Sequence, residues 1–472
     1  MTSTAPTDMP TVDDVTAERL AAALRCRTVS HEDRERIDLT EFDRLLAHLE
    51  QSFPLVHSAL TWETFGHSRL YRWAGAEGAD SAPLPDATAA GRTAGTESVA
   101  ALLLAHMDVV PVDDLEGWTH PPFDGVVDDE FVWGRGAIDD KSRVLAILEA
   151  VEQALTEGVQ PRETVYLAFG HDEEVFGSEG AGRMAQRLRD SGVRARLLLD
   201  EGGVITSGVA DGIDVPVATI MVGEKGFATV RLSVTDIGGH SSMPGKQTAV
   251  GRLARAVARI QDHPFPLRLT PVAVDMLTRV REFMAEPRRT MLGLLKVAGP
   301  VAVRILAARP QTEAMVRTTT APTVISGGVK PNVLPQRAEA FVNFRILPGD
   351  SVAGVLDHCR KAVRDREVSI ELDGTTSEPS PNPAAGPDFD LIADVAREVV
   401  PGIAVTVGIV PGATDSRYYD DLAATRCNFA PILLTAADLE RIHGTDERIS
   451  RADYARLIRF NRLLIDRLAR PA

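Results

Sequence analysis

TVYLAFGHDEEVFGSEG, residues 164 to 180, places a nearly continuous apolar run, TVYLAF, just before three acids in a row, Asp172, Glu173 and Glu174. The apolar run has the length and texture of a strand buried on both faces. The acids pose the sharper question, because adjacent like charges repel and gain nothing from packing. Either the stretch is a solvated loop or something positive sits there. Two similar runs, VAALLLA (99 to 105) and RLLLD (196 to 200), lie on either side in the sequence. Between the three fall helical patterns, SRVLAILEAVEQAL (142 to 155) and GAGRMAQRLRD (180 to 190). Strand and helix in alternation predict an α/β fold whose mostly parallel central sheet is flanked by helices.

Outward from that centre, VTAERLAAALRC and FDRLLAHLEQSF carry helical periodicity within residues 14 to 50, and the Gly/Ala/Asp/Pro-rich stretch 74 to 97 reads as a loop between strands. From about Gly223 the texture changes. ATVRLSVTDIGG and AEAFVNFRI alternate as half-buried strands do, with AVGRLARAVARIQ and VAGVLDHCRKAV as amphipathic helices among them. This combination predicts a smaller α+β domain, residues 223–376, inserted into a first domain made of residues 1–222 and 377–472. Residues 275 to 317, helical, basic and apolar, read as an elaboration within the insert. SEPSPNPAAGPD (377 to 388) reads as the return linker. The chain shows no internal repeat.

A chain of 472 residues is long enough for two domains with a large core, and 44% hydrophobic with 25% charged residues suits a globular protein. No apolar stretch approaches the ~20 residues needed to span a bilayer. The opening MTSTAPTDMPTVDD lacks the basic, apolar and cleavage segments of a secretory signal, so the expected compartment is the cytoplasm. Lys plus Arg number 51 against 67 Asp plus Glu, a net charge of -16, which argues against nucleic acid or an acidic membrane as partner and for a small molecule. Cys26, Cys359 and Cys427 are odd in number and far apart, and imply neither a disulfide framework nor a thiolate metal site.

In an open α/β sheet the ligand site lies outside the carboxyl ends of the strands. Four places there collect acids and histidines: LLLAHMDVV with His106 and Asp108, WGRGAIDDK with Asp139 and Asp140, AFGHDEE, and LLLDEGG with Asp200 and Glu201; RIHGTDE adds His443. Taken singly, Asp139 is an ordinary helix N-cap, Asp200 a turn residue and His443 a surface-loop histidine. His106 and Asp108, two apart in an extended segment, point to one side, where the carboxylate can fix the imidazole tautomer. Together, so many acids and imidazoles from separate strand ends compensate one another only around a cation. Two divalent ions sharing a carboxylate would absorb this charge. Adjacent Glu173 and Glu174 then divide the work, one binding metal and the other free to take a proton from water. Ligands limited to N and O favour zinc, with cobalt or manganese as substitutes.

HMDVVP, WTHPPFDG, GRGAIDDK, HDEE, LLLDEGG, GGHSS, KPNVLP, NFRILPG and HGTDE, in this order along nearly the whole chain, closely resemble the M20 family of metallopeptidases, in its branch of carboxypeptidase S and the N-acyl-amino-acid hydrolases. The resemblance implies two zinc ions per subunit. It makes Asp139 the bridging carboxylate, His106 and Asp200 ligands of one metal, and Glu174 and His443 ligands of the other. Glu173 takes the general acid/base position and Asp108 the support of His106. The inserted domain becomes a lid that commonly forms a homodimer contact. In it, His240 resembles a histidine that reaches the partner's active site to steady an oxyanion. Arg345 resembles an arginine that holds the substrate carboxylate, and Asn332 a substrate-contacting amide. In GATDSRY (412 to 418), Ala413 stands where relatives often show a second glycine, which touches specificity; Thr414, Asp415 and Arg417 are candidate substrate contacts.

The function expected is hydrolysis of amide bonds in N-acyl amino acids or short peptides with a free carboxylate. Alternatives are a metal-binding relative without catalysis, or an enzyme favouring N-acyl-amino-acid synthesis. The 275 to 317 stretch then reads as added lid packing, the other reading being a shelter for a long acyl chain. A dinucleotide-binding oxidoreductase, suggested by GRG at 134 to 136, fails because no third glycine follows and nearby acids would repel a pyrophosphate.

Overall fold

The computed structural model describes residues 11–76, 98–209, 212–293, 295–308 and 310–469. The run TVYLAF lies in a strand, Thr164–Gly170, every residue of which is buried. It pairs in parallel with Ser98–His106, which pairs in parallel with Arg194–Asp200, which pairs in parallel with Ala423–Asn428. Val217–Glu224 and Ala404–Val410 form another parallel pair, and the hairpin Thr61–Phe65 and Ser68–Trp73 adds antiparallel strands at one edge. The whole is a ten-stranded, mostly parallel sheet.

Successive side chains of a strand face opposite ways, so a sheet made of such runs needs apolar cover on both faces. Leu103, Leu167 and Leu199 share a core with helices Asp14–Leu24, Leu39–Ser52, Lys141–Thr156, Phe389–Val399 and Arg451–Ala469, whereas Leu102, Tyr166 and Leu198 share another with Ala181–Asp190. Each of these leucines contributes about 2 kcal/mol by leaving water. Helix Lys141–Thr156 is buried nearly all round because it lies between the sheet and the helices Asp14–Leu24 and Arg451–Ala469.

Pairing between the strands ending at His106 and Asp200 stops at Leu103 and Leu199. Beyond that point the strands part and leave carbonyls to be satisfied. Arg143, almost fully buried in the first turn of Lys141–Thr156, supplies the donors. Its Nε bonds Leu104 O at 2.8 Å, one terminal nitrogen Phe429 O at 2.8 Å and the other Leu199 O at 3.1 Å. One guanidinium therefore fixes the spacing of three neighbouring strand ends.

A second sheet, ordered Thr319–Gly327, Arg337–Ile346, Gly226–Thr235 and Ser369–Ser377, is antiparallel throughout. Gly226–Thr235 and Arg337–Ile346 alternate buried and more exposed residues along nearly their whole length, and the buried set packs on helices Ala249–Asp262 and Val352–Val363. The stretch 275–317 divides its allegiance. Helix Pro271–Val280 places Val272 in the first core, and the Thr406 hydroxyl donates to Met276 O at 3.0 Å. Val280 joins Ile213, Val217 and Ala404. This elaboration therefore begins by covering the first sheet rather than the second, because the exposed side of Ala404–Val410 needs an apolar partner. Residues 378–388 hold no helix or strand.

All three cysteines are buried and unpaired. Among the described residues no helix is long and apolar enough to cross a membrane. Most of the expected loop 74–97, and most of the opening segment, lie outside the described residues.

Arg143→Met leaves three buried carbonyls without donors, so a loss of about 3 kcal/mol or more is expected in urea unfolding. A change below about 1 kcal/mol would show that the strand ends do not depend on it.

Candidate metal centre

The acidic run resolves into three separate jobs. Asp172 caps the following loop, its carboxylate accepting from Glu179 N at 2.8 Å and Gly180 N at 2.9 Å. Glu173 and Glu174 open a single 3-10 turn, Glu173–Val175, whose first amides point at Asp108. Asp108, wholly buried, accepts from Glu173 N and Glu174 N, each at 3.1 Å. His171 turns away and bonds the Ser68 hydroxyl at 2.6 Å.

Asp108 also faces His106, with Oδ1 3.5 Å from Nδ1, although the closer partner of that nitrogen is Asp108's own carbonyl at 3.0 Å. The support expected from Asp108 thus comes through its backbone as well as its side chain. His106 is left with Nε2 directed at Asp139 Oδ1, 2.9 Å away. The other oxygen of Asp139 lies 3.1 Å from His443 Nε2, which in turn is 3.2 Å from Glu174 Oε1. Asp139, Glu174 and His443 form one cluster of ligand atoms within 4.8 Å of one another, and His106, Glu173 and Glu174 form a second. The N-cap of Lys141–Thr156 is Asp140, not Asp139, and its side chain makes no capping bond.

Four side chains expected to gather around metal, His106, Asp139, Glu174 and His443, therefore meet, with Glu173 beside them. Asp200 lies outside both clusters. Buried at the end of the adjacent strand, it accepts from Glu201 N and Ser416 N, each at 2.9 Å, which leaves carboxylate lone pairs free.

Electrostatics mark the centre as a place that stabilises positive charge. Hydrogen bonds to Asp139 and Glu174 push the His443 imidazole up to about 10, against the effect of burial. For His106 burial acts downward, yet Asp108 and Asp139 hold it well above the usual histidine range. Asp139 is opposed by burial but is held low by the two histidines. Glu173 is pushed well above the carboxylate range, chiefly by burial, with Asp415, Glu174 and Asp139 adding to the effect. Carboxylates and imidazoles that favour positive charge at their centre are the donor types that divalent cations take.

Two residues that position this centre lie inside the motifs quoted above without having been singled out. Glu447, wholly buried, accepts from Arg135 at 2.7 Å, Gly136 N at 3.0 Å, Ile138 N at 2.8 Å and Asp139 N at 3.1 Å. Arg135 also donates to the carbonyls of His443 and Gly444, at 3.1 and 3.0 Å. His443 adopts φ 59°, a region uncommon outside glycine, and this clasp holds it there. The signal in the sequence was an acid four residues after His443 and an arginine four before Asp139, but only contact shows that they pair.

Asp415 is buried, and neither of its carboxyl oxygens has a hydrogen-bond partner among the described residues. It wedges against two glycines: a Cβ at Gly170 would lie 2.5 Å from Oδ2, and one at Gly177 would lie 2.0 Å from Oδ1. Arg417 donates to Phe176 O at 2.8 Å and lies over the Phe176 ring. Phe176 approaches Phe227 of the second sheet, ring centroids 6.0 Å apart, and Arg345 sits over Phe227 at 4.9 Å. Arg345 is half-buried with no acidic partner among the described residues, and burial lowers its pKa. His240 and Asn332 are exposed on a small ribbon, Gly239–His240 with Val333–Leu334. The His240 ring bonds Ser242 at 2.7 Å, and neither residue belongs to the ligand clusters.

Residues 102–467 match the model of Peptidase family M20/M25/M40. The chain is 36% identical to "Probable carboxypeptidase S-like 2" of Dictyostelium discoideum, covering 94% of this chain and 83% of that protein. It is 38% identical to "N-fatty-acyl-amino acid synthase/hydrolase PM20D1.1" of Danio rerio, with the same coverage. In three dimensions it resembles the M20 family metallo-carboxypeptidase Sso-CP2 from Sulfolobus solfataricus, with a TM-score of 0.68 and 15% identity over 97% of this chain and 100% of that one. That likeness speaks to the fold.

Glu447→Gln removes the charge that gathers the Asp139 loop and, through Arg135, the His443 loop. Metal affinity is expected to fall about 10- to 100-fold. Chelator competition measures it, and an unchanged affinity would reject the positioning role.

Proposed function

The chain belongs to peptidase family M20/M25/M40 and is a hydrolase, and from that premise we propose that it is a dinuclear zinc enzyme cleaving amide bonds in N-acyl amino acids or short peptides that end in a free carboxylate. The carrying observation is the Asp139 carboxylate, which offers one oxygen to each of two histidines far apart in the chain, His106 and His443. His106 and Asp200 would hold one ion, Glu174 and His443 the other, with Asp139 between them; cobalt or manganese could replace zinc. The ions would polarise the scissile carbonyl and lower the pKa of a water, to roughly 7 in favourable cases.

The chain's own residues supply the rest. Glu173, held by its amide on Asp108 and half-buried beside His106, removes the proton of the attacking water and returns it to the leaving amine. Arg345, with no acidic partner of its own among the described residues, binds the substrate carboxylate, and its planar fork suits that bidentate task. Phe176, two residues after Glu174, meets Phe227 beneath Arg345, and Arg417 lies over Phe176. Asn332 contacts substrate from the lid. His240 acts in trans across a homodimer formed by the lid, residues 223–376, and donates to the oxyanion. Its exposure in the single chain supports this reading.

The synthetic direction shares the same transition state, and a relative's printed name includes both activities. Concentrations of acyl group and amino acid would set the direction. Three buried, unpaired cysteines accord with a reducing compartment, the cytoplasm.

A panel of N-acyl amino acids and dipeptides, tested with zinc-loaded protein, should show hydrolysis that requires the free carboxylate. Glu173→Gln should keep its metal and lose kcat by about 10³-fold. Near-normal turnover in that variant would sink the assignment. Replacing His240 by alanine should cost on the order of 3 kcal/mol in transition-state binding. Mixing that variant with an inactive Glu173→Gln partner should restore part of the activity, and no restoration rules out action in trans.

A further inference from the structure

Chain passes between the two domains at two places, and one residue touches both. Glu224 ends the strand Val217–Glu224, and only Lys225 separates it from the first lid strand, Gly226–Thr235. Its backbone clasps the return passage: Glu224 N donates to Ser380 Oγ at 2.7 Å, and Ser380 N donates to Glu224 O at 3.1 Å. Lys225, buried beside it, anchors the crossing by donating from Nζ to Ala314 O and Arg317 O, each at 2.9 Å.

The Glu224 side chain points the other way, into the first domain. It is buried, and a single oxygen, Oε1, accepts from the Thr414 hydroxyl, from Thr414 N at 3.2 Å and from the Ser416 hydroxyl at 2.7 Å. Asn428 donates from behind to the same two hydroxyl oxygens, at 3.0 and 3.3 Å, which sets the direction of both O–H bonds toward Glu224. Held in this way, the turn 414–416 presents Ser416 N to Asp200 Oδ2 at 2.9 Å.

We propose that Glu224 is a positioning residue for the metal centre. Through Thr414 and Ser416 it sets the orientation of the Asp200 carboxylate, and through Ser380 it ties that orientation to the hinge of the lid. The proposal rests on the reading of Asp200 as a metal ligand. A ligand whose outer partner is lost commonly binds its metal 10- to 100-fold more weakly. The loss should fall on one ion of the pair, the one nearer Asp200, and leave the Asp139–Glu174–His443 side intact.

The test is a zinc titration of Glu224→Gln against a competing chelator, with kcat and KM measured at limiting and at excess zinc. The expected result is about tenfold weaker binding of one ion, with kcat reduced at limiting zinc, restored by excess zinc, and KM unchanged. Ser416→Ala, which removes a hydroxyl but keeps the amide on Asp200, should lose about threefold, and it serves if Glu224→Gln does not fold. Wild-type affinity in both variants overturns the proposal. So does a loss of kcat that excess zinc fails to restore, since a merely structural role would behave that way. Asp200→Asn is titrated alongside: retention of both ions there overturns the ligand reading itself, a result separate from the response of Glu224.

Discussion

A single carboxylate placed between two imidazoles is the constraint on which the centre turns. Asp139 lies within 3.1 Å of both His106 and His443, and no other described acid takes that bridging place. Burying such a group is expensive unless partners and hydrogen bonds are held in place around it. The surroundings supply that order. Glu447 gathers four donors from the loop before Asp139, Arg135 clasps the His443 loop, and Arg143 spaces the strand ends from which His106 and Asp200 arrive. These groups are spread from residue 106 to residue 447 of the chain, so their arrangement exists only when the sheet is complete.

The acid pair shows how repulsion between neighbours is handled locally. Asp108 takes both amides of Glu173 and Glu174, so the two side chains start from fixed positions in one short turn. Glu174 then meets His443, and Glu173 stays beside His106 without an ion-pair partner of its own among the described residues. The difference in environment follows from backbone geometry and gives two chemically equivalent residues different neighbours. Asp172, next in line, never enters the site because Glu179 N and Gly180 N occupy it.

One contact between the two sheets is aromatic and cationic. Phe176 follows the acid turn at φ 77°, and its ring meets Phe227 at the start of Gly226–Thr235, under Arg345. A guanidinium there is half-buried without an acid to neutralise it, an arrangement that is favourable when a ligand brings the missing charge. The same short stretch, residues 224 to 227, carries the chain from the first sheet to the second, since only Lys225 separates Val217–Glu224 from Gly226–Thr235.

Much was legible in the sequence because it depends on local pattern. Apolar runs bounded by acids marked the parallel strands and their carboxyl ends, and alternation in ATVRLSVTDIGG and AEAFVNFRI marked the second sheet, since burial on one face leaves a period of two. The gathering of histidine and carboxylate at strand ends was readable too, because His106 and Asp200 each close an apolar run. Tertiary structure alone decided which acids meet which partners. It paired Arg135 with Glu447, turned His171 away to Ser68, laid Pro271–Val280 on the first sheet, and joined Glu224 to Asp200 through Ser416. Those choices depend on where strands stop pairing and which buried donors lack acceptors, and a linear pattern does not carry distances between residues far apart in the chain.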